Sequence, residues 1–346
     1  MAVVKADAYG HGAVRVASAL ADADGFAVAR LDEALALRKA GVAKPILLLE
    51  GVTGAQELAQ ALAAGLELVV HDPSQVQMLE QAAVPGGAGD GHAGLRPVVW
   101  LKADTGMNRL GFRPEAALAA RARLLAARMA PRDLRLMTHL ARADEADATP
   151  TEAQLGRFAA LVARWTAVAG APPVTSIGNS AGTLRGAASQ GDWIRPGLAL
   201  YGASPFAGRS AAALGLAPVM TLETAVIALR EVPAGEGVGY GAAWRAARPS
   251  RIAILAAGYA DGLPRHLPSG APVLFTAGRA PLAGRVSMDM VAVDVTDLPP
   301  VAVGDRAVLW GRGLPVDEVA AAAGTIAYEL LCAVAPRVPR VERAGH

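Results

Sequence analysis

Residues 98–140 read VVWLKADTGMNRLGFRPEAALAARARLLAARMAPRDLRLMTHL, and this stretch decides the fold. A short apolar run, Val98–Leu101, leads to an Ala-, Leu- and Arg-rich segment at helical spacing, Pro114–Met129. A second apolar run, Leu134–Thr138, follows it. That is one strand–helix–strand unit. Outward from it the same alternation continues. Strand-like runs occur at Ala2–Lys5, Phe26–Ala29, Ile46–Leu49, Leu66–Val70, Val174–Ile177 and Trp193–Arg195, with helical spacing at Glu33–Ala40, Ala55–Ala64 and Glu152–Val168. Pro73 and Pro114 suit the first turn of a helix, and Gly41 and Gly65 suit helix ends. Eight strand candidates separated by helices make an α/β protein, a closed (β/α)8 TIM barrel, with an open doubly wound sheet as the competing arrangement.

The pattern changes after Ser204–Gly215. Thr221–Arg230, Arg251–Ala257, Val273–Thr276, Met290–Val295 and Ala307–Trp310 read as strands without helices between them, and one helix is expected near Asp317–Ala323. The expectation is therefore a barrel over residues 1–212 followed by a mostly β domain over 213–346. Residues 84–94 (VPGGAGDGHAG) are glycine-rich but feed a strand rather than a helix, so a surface loop is expected there instead of a phosphate loop.

Composition excludes several classes. At 346 residues, with 53% hydrophobic and 18% charged, the chain can bury sizeable cores and is not wholesale disordered. The longest stretch free of Asp, Glu, Lys and Arg, Trp165–Leu184, holds two prolines and a polar cluster, which argues against a membrane partner. No charged-then-apolar leader opens the chain, and the lone Cys332 has no partner within it; both suit the cytoplasm. A net charge of +2 without a dense basic run does not point to nucleic acid.

Barrel enzymes carry their chemistry where strands end. Those positions hold Lys5, Lys102, His139, Asn179–Ser180 and Arg195–Gly197. A lysine desolvated at such a strand end loses its charge more readily and becomes a nucleophile able to form a Schiff base. Gly178–Gly182 and Pro196–Leu198 offer hydroxyl and amide groups of the kind that bind phosphate. Together these point to a phosphorylated, carbonyl-bearing ligand. Pyridoxal phosphate and the phosphorylated sugar of a Schiff-base aldolase both meet that description, and no metal is called for.

Several segments carry a closer likeness. Residues 2–12 (AVVKADAYGHG) resemble the pyridoxal-phosphate attachment segment of alanine racemases. Residues 102–111 (KADTGMNRLG), 138–141 (THLA), 239–241 (GYG), 258–262 (GYADG) and 284–289 (GRVSMD) also resemble that family and follow its order.

The resemblance implies a barrel plus β domain and a two-base interconversion of L- and D-alanine supplying D-alanine for peptidoglycan. Lys5 would hold pyridoxal 5'-phosphate and act as base on one face, with Tyr240 as base on the other. A tyrosine titrates ordinarily near about 10, so such a base needs positive charge close by; by resemblance His139 and Arg195 form that chain. Arg195 would donate to the cofactor's ring nitrogen, leaving it unprotonated and the ring a weaker electron sink than in aminotransferases.

The same likeness assigns Arg109 and Met288 to the substrate carboxylate. It assigns Tyr9, His139, Asn179, Ser180, Gly197 and Leu198 to the cofactor. Lys102 matches a lysine carbamylated in the family, with an ordinary salt bridge as the alternative. Asp144, Tyr259, Arg265, Arg285 and Asp289 would line the access passage. A head-to-tail homodimer with shared active sites is implied, because Tyr240 and Met288 would serve the partner.

Two departures stand out. The family usually places a strand and a helix before the lysine strand, so that strand is expected to fray here, with apolar surface uncovered. Pro336 stands where many relatives place a phosphate-touching tyrosine. Rival readings are a racemase of serine, lysine or a broader set, and a non-catalytic pyridoxal-phosphate carrier, which would lack the β domain and Tyr240.

Overall fold

In the strand–helix–strand unit at the centre of the sequence, Val98–Lys102 forms strand β5, Pro114–Ala126 helix α6 and Asp133–Met137 strand β6. Strand β5 is buried along its whole length, as expected of a parallel strand covered on both faces. The computed structural model describes residues 1–82, 96–186 and 191–343. The chain divides into two compact units, Met1–Gly197 with Pro205–Ala207, and Leu198–Ser204 with Gly208–His346.

In the first unit the unit repeats. Strands β1 (Ala2–Val3), β2 (Phe26–Val28), β3 (Ile46–Leu48), β4 (Glu67–Val70), β5, β6 and β7 (Thr175–Ser176) lie in sequence order in one seven-stranded sheet, all pairs parallel. Helices α3 (Leu31–Lys39), α4 (Ala55–Ala63), α5 (Pro73–Gln81), α6 and α7 (Thr149–Ala169) connect them. Pro73 and Pro114 each open a helix, and Asp72 caps α5 by accepting from Ser74 N at 2.8 Å.

The eighth strand candidate, 193–195, closes the sheet without becoming a regular strand. Trp193 N–H donates to Thr175 O (2.9 Å) and Arg195 N–H to Gly178 O (2.7 Å) on one side. On the other, Met1 N donates to Ile194 O (2.8 Å) and Val3 N–H to Pro196 O (3.0 Å). The ladder stops at Pro196, which has no N–H to continue it. Met1, Ala2 and Val3 are buried, and β1 is paired with β2. The glycine-rich segment 84–94 lies outside the described residues.

In the second unit, β8 (Leu222–Val232), β11 (Ser250–Leu255), β12 (Pro272–Phe275), β13 (Gly278–Pro281), β14 (Val291–Asp294) and β15 (Arg306–Trp310) form an antiparallel sheet in the order β13-β12-β15-β8-β11-β14. A short hairpin pairs β9 (Gly237–Val238) with β10 (Trp244–Arg245). Two helices follow rather than the one expected: α9 (Val316–Ala322) and α10 (Ala327–Ala333). The core here is built from Phe275, Val293, Leu255 and the wholly buried Trp310. Among the described residues, no helix is long and apolar enough to cross a membrane.

Below the strand ends the first unit holds a charged cluster. Trp100 Nε1–H donates to Glu67 Oε2 (2.7 Å), and Arg135 Nη1 stands 3.5 Å from Glu67 Oε1. The Arg135 guanidinium also lies over the rings of Trp100 (5.1 Å) and Trp193 (5.9 Å). Arg135 Nε also donates to Asp133 Oδ2 at 2.6 Å, so removing Glu67 leaves the guanidinium paired and takes the acceptor from the buried indole N–H. Glu67→Ala is therefore expected to cost about 2 kcal/mol in urea unfolding, and Glu67→Gln clearly less, since it keeps an acceptor for the indole; equal losses would refute this account.

Candidate active site

The carboxyl ends of β1, β5, β6, β7 and the closing segment bring together Lys5, Lys102, His139, Asn179, Ser180, Arg195 and Gly197. Lys102 is the last residue of β5 and is buried. Its ammonium is pulled down to about 8, first by burial and then by the charges of Arg195 and Arg109; Lys5 adds to this and Glu50 opposes it. An appreciable fraction of the Lys102 amine is neutral near neutral pH.

Arg195 is also buried. Its Nη1 donates to Ser176 Oγ, and its Nη2 to Thr138 O (2.7 Å) and Ile177 O (3.2 Å). Burial pushes its pKa down to about 10, so it stays charged at neutral pH. His139 Nδ1 lies 3.5 Å from Arg195 Nη2. A guanidinium cannot accept a hydrogen bond, so this contact makes Nδ1 the acceptor and places the imidazole proton on Nε2. Desolvation foremost, then the charges of Arg195, Lys102, Arg109 and Lys5, hold His139 well below its usual pKa and hence neutral.

Arg109 sits on the loop after β5 and is exposed. Asp104 Oδ1 shapes this loop by accepting from the N–H groups of Gly106 (2.9 Å), Met107 (3.0 Å) and Asn108 (3.0 Å). Asn179 caps α8 (Ser180–Arg185), accepting from Gly182 N at 2.9 Å, and its Nδ2–H reaches Leu140 O at 3.2 Å. Gly197 N–H donates to Ser180 Oγ (2.9 Å). Any Cβ at Gly197 would stand 2.4 Å from Tyr9 Oη, so only glycine admits the Tyr9 ring here. Tyr9 belongs to a turn, α1 (Lys5–Tyr9), in which Ala6, Asp7, Ala8 and Tyr9 all have φ near 52–53°.

The remaining expected site residues occupy other places. Asp144 is exposed on the loop after β6. Leu198 opens a 3-10 turn, Leu198–Tyr201, in the second unit and is buried there. Tyr240, Tyr259, Arg265, Arg285, Met288 and Asp289 also belong to the second unit. Tyr240 is 69% and Met288 53% exposed, and Arg285 lies against Gly241 beside Tyr240. The Met288 loop is firmly backed. Its Ser287 and Met288 carbonyls accept from Tyr259 and Ala260 N–H (3.0 Å each), and a Cβ at Gly258 would collide with both at 2.3 Å. Arg337 clamps Asp289 (2.6 Å) and Asp261 (2.8 Å). Pro336, next to it, is exposed.

Sequence reading missed the residues that hold these groups in place. Gln154 on α7 accepts from Ala141 N (2.8 Å) and donates to His139 O (3.1 Å) and Thr105 Oγ1 (3.2 Å), tying the loops after β5 and β6 together. The available signal was a glutamine on a buried face that otherwise carries Phe158, Leu161 and Trp165.

Comparison with known proteins follows the same division. Residues 1–205 match the alanine racemase N-terminal domain family and residues 219–342 the alanine racemase C-terminal domain family. An alanine racemase of Azoarcus sp. is 52% identical over 96% of this chain and 90% of its own length. One from Chromohalobacter salexigens is 50% identical over 98% of this chain and 90% of its own. The crystal structure of the biosynthetic alanine racemase of Pseudomonas aeruginosa superposes with a TM-score of 0.91 at 49% identity, covering 100% of this chain and 92% of that one. The alanine racemase of Bacillus anthracis with bound L-Ala-P gives 0.83 at 32% identity, covering 98% and 87%. With both family domains present and half its residues shared with such relatives, the chain belongs to the alanine racemase family.

Proposed function

We propose that the chain interconverts L- and D-alanine with pyridoxal 5'-phosphate bound through Lys5, and so supplies D-alanine for peptidoglycan in the cytoplasm. One observation carries this reading beyond family membership. The strand ends gather Lys5, Lys102, Arg109 and Arg195 around His139, and of the charges felt most strongly at Lys102 only that of Glu50 is negative. Such a concentration of cations calls for anionic occupants, and a cofactor phosphate with a substrate carboxylate supplies them.

The residues fit the cofactor. The barrel, taken as residues 1–212, offers Tyr9, Ser180 and the Gly197 amide near one another; with Asn179 and Leu198 they are the proposed holders. Among the described residues no group takes the Nε–H of Arg195, although both Nη atoms are engaged, which leaves one fixed donor for a ring nitrogen. A donor that never gives up its proton keeps that nitrogen unprotonated. When bound, pyridoxal phosphate supplies the electron sink that makes the substrate's α-proton acidic.

The chain's own groups do the rest. Lys5 Nζ takes or gives the α-proton on one face. Tyr240 Oη, from the domain over 213–346 of a second copy, serves the other face. Arg109 and the Met288 amide hold the substrate carboxylate. Asp144, Tyr259, Arg265, Arg285 and Asp289 line the access passage. The exposure of Tyr240, and of Met288 on a well-backed loop, supports the homodimer with shared sites.

The test follows α-proton exchange of alanine in heavy water. The protein with pyridoxal phosphate is expected to exchange both enantiomers, and Lys5→Ala to lose both exchange and the visible absorption of lysine-bound cofactor. Tyr240→Phe should lower racemisation by about 10²–10⁴-fold while one enantiomer still exchanges through Lys5. A cofactor-loaded protein that leaves the α-proton of alanine in place overturns the proposal. Mixing Lys5→Ala with Tyr240→Phe should restore activity, because the mixed dimer contains one intact shared site.

Lys102 carries a further consequence. Carbamylation requires the neutral amine, and the fraction of neutral amine grows as pH rises through about 8. At fixed carbon dioxide pressure, a carbamate signal in carbon-13 spectra should therefore strengthen across that range and be missing from Lys102→Arg. Among the described residues Lys102 makes no ion pair, so a lysine that stays unmodified at high pH leaves it an unmodified cation beside Arg195 and Arg109.

A further inference from the structure

Lys5 stands at the head of a backbone conformation that its neighbours would not choose. Ala6, Asp7, Ala8 and Tyr9 run at φ 52, 52, 53 and 53°, left-handed throughout and without a glycine until Gly10. L-residues visit this region singly and at a cost, so a consecutive run needs outside support. Part of that support is local. Asp7 Oδ1 accepts from Ala13 N (2.8 Å), and the His11 Nδ1–H reaches the carbonyls of Ala8 (3.0 Å) and Tyr9 (2.9 Å).

The other part comes from Glu33, on α3. Its Oε2 accepts from Ala29 N (2.9 Å) and Arg30 N (3.0 Å), which is ordinary capping of that helix. Capping does not account for Oε1, which accepts from Ala6 N at 2.6 Å. One carboxylate thus links the first N–H of the left-handed run to the chain leaving β2.

We propose that Glu33 is a positioning residue for Lys5, its carboxylate holding the left-handed turn that aims the lysine. The inference rests on the reading of Lys5 as the cofactor lysine, and it assigns Glu33 a task beyond capping. Ala6 is exposed, so Ala6→Gly removes little packing while making positive φ nearly free. That supplies a rescue which a purely packing role for Glu33 would not show.

The experiment compares wild type, Glu33→Gln, Ala6→Gly/Glu33→Gln and, as a control, Glu33→Gln with Ala159→Gly on the exposed face of α7. Two readouts are taken on the full-length protein: amide hydrogen exchange of the 4–12 segment without cofactor, and pyridoxal phosphate affinity from visible absorption. Glu33→Gln is expected to speed exchange and weaken affinity about tenfold each, the scale of one charge-assisted hydrogen bond. Ala6→Gly should recover most of both losses, and Ala159→Gly neither. Unchanged exchange in Glu33→Gln overturns the proposal, as does a loss that Ala6→Gly leaves in place. If exchange behaves as expected but wild type shows no Lys5-dependent absorption, the cofactor reading fails and with it the role of Glu33 in aiming Lys5, while the clamp on the turn stands.

Discussion

A buried guanidinium without a carboxylate organises the mouth of the barrel. Among the described residues Arg195 makes no ion pair; its Nη atoms are satisfied by Ser176 Oγ and by the carbonyls of Thr138 and Ile177. Neutral acceptors leave the positive charge uncompensated, and it spreads to its neighbours. It lowers Lys102 and helps to keep His139 neutral. Had an aspartate paired with Arg195, Lys102 would keep its proton more firmly and His139 would titrate higher.

The same interaction is structural. Arg195 lies on the segment that completes the sheet, and its donors reach the ends of β6 and β7. Backbone bonds on both sides close the ring, and closing it carries the Arg195 guanidinium to the ends of β6 and β7. Gln154 adds a second tie one loop further round, where it joins the His139 carbonyl to Thr105. Residues that define the electrostatics of the site are in this way also those that fix where its strands end.

Much of this was legible in the sequence, and for a physical reason. Lys102 ends an apolar run, VVWLK, and His139 and Arg195 stand at comparable points. A charged or polar residue there is conspicuous against a strand buried on both faces. The family's segments then added roles that periodicity does not carry. What stayed hidden depends on partners distant in the chain or on backbone angles. Nothing in the residues Ala6-Asp7-Ala8-Tyr9 announces positive φ, because the supporting acceptor is at Glu33. Helix α10 starts after Ile326 with no side-chain cap to announce it, whereas α9, of the same length, follows Pro315 and carries Asp317 and Glu318 in its first turn; the closing segment reads as a full strand, but Pro196 removes its next donor.

The second unit answers a different constraint. An exposed loop such as that of Met288 must keep its shape without burial to hold it. Gly258 allows the 258–262 turn to press directly on the carbonyls of Ser287 and Met288, and Arg337 fastens Asp261 and Asp289 to one guanidinium. Proline at 336 contributes neither hydroxyl nor N–H, yet the arginine beside it engages Asp261 through Nε and Asp289 through Nη2. Proline at that point therefore leaves the backing of the Met288 loop untouched. Tyr9, Ser180 and the Gly197 amide, the holders proposed for the cofactor, are packed so closely that a Cβ at 197 would stand 2.4 Å from Tyr9 Oη.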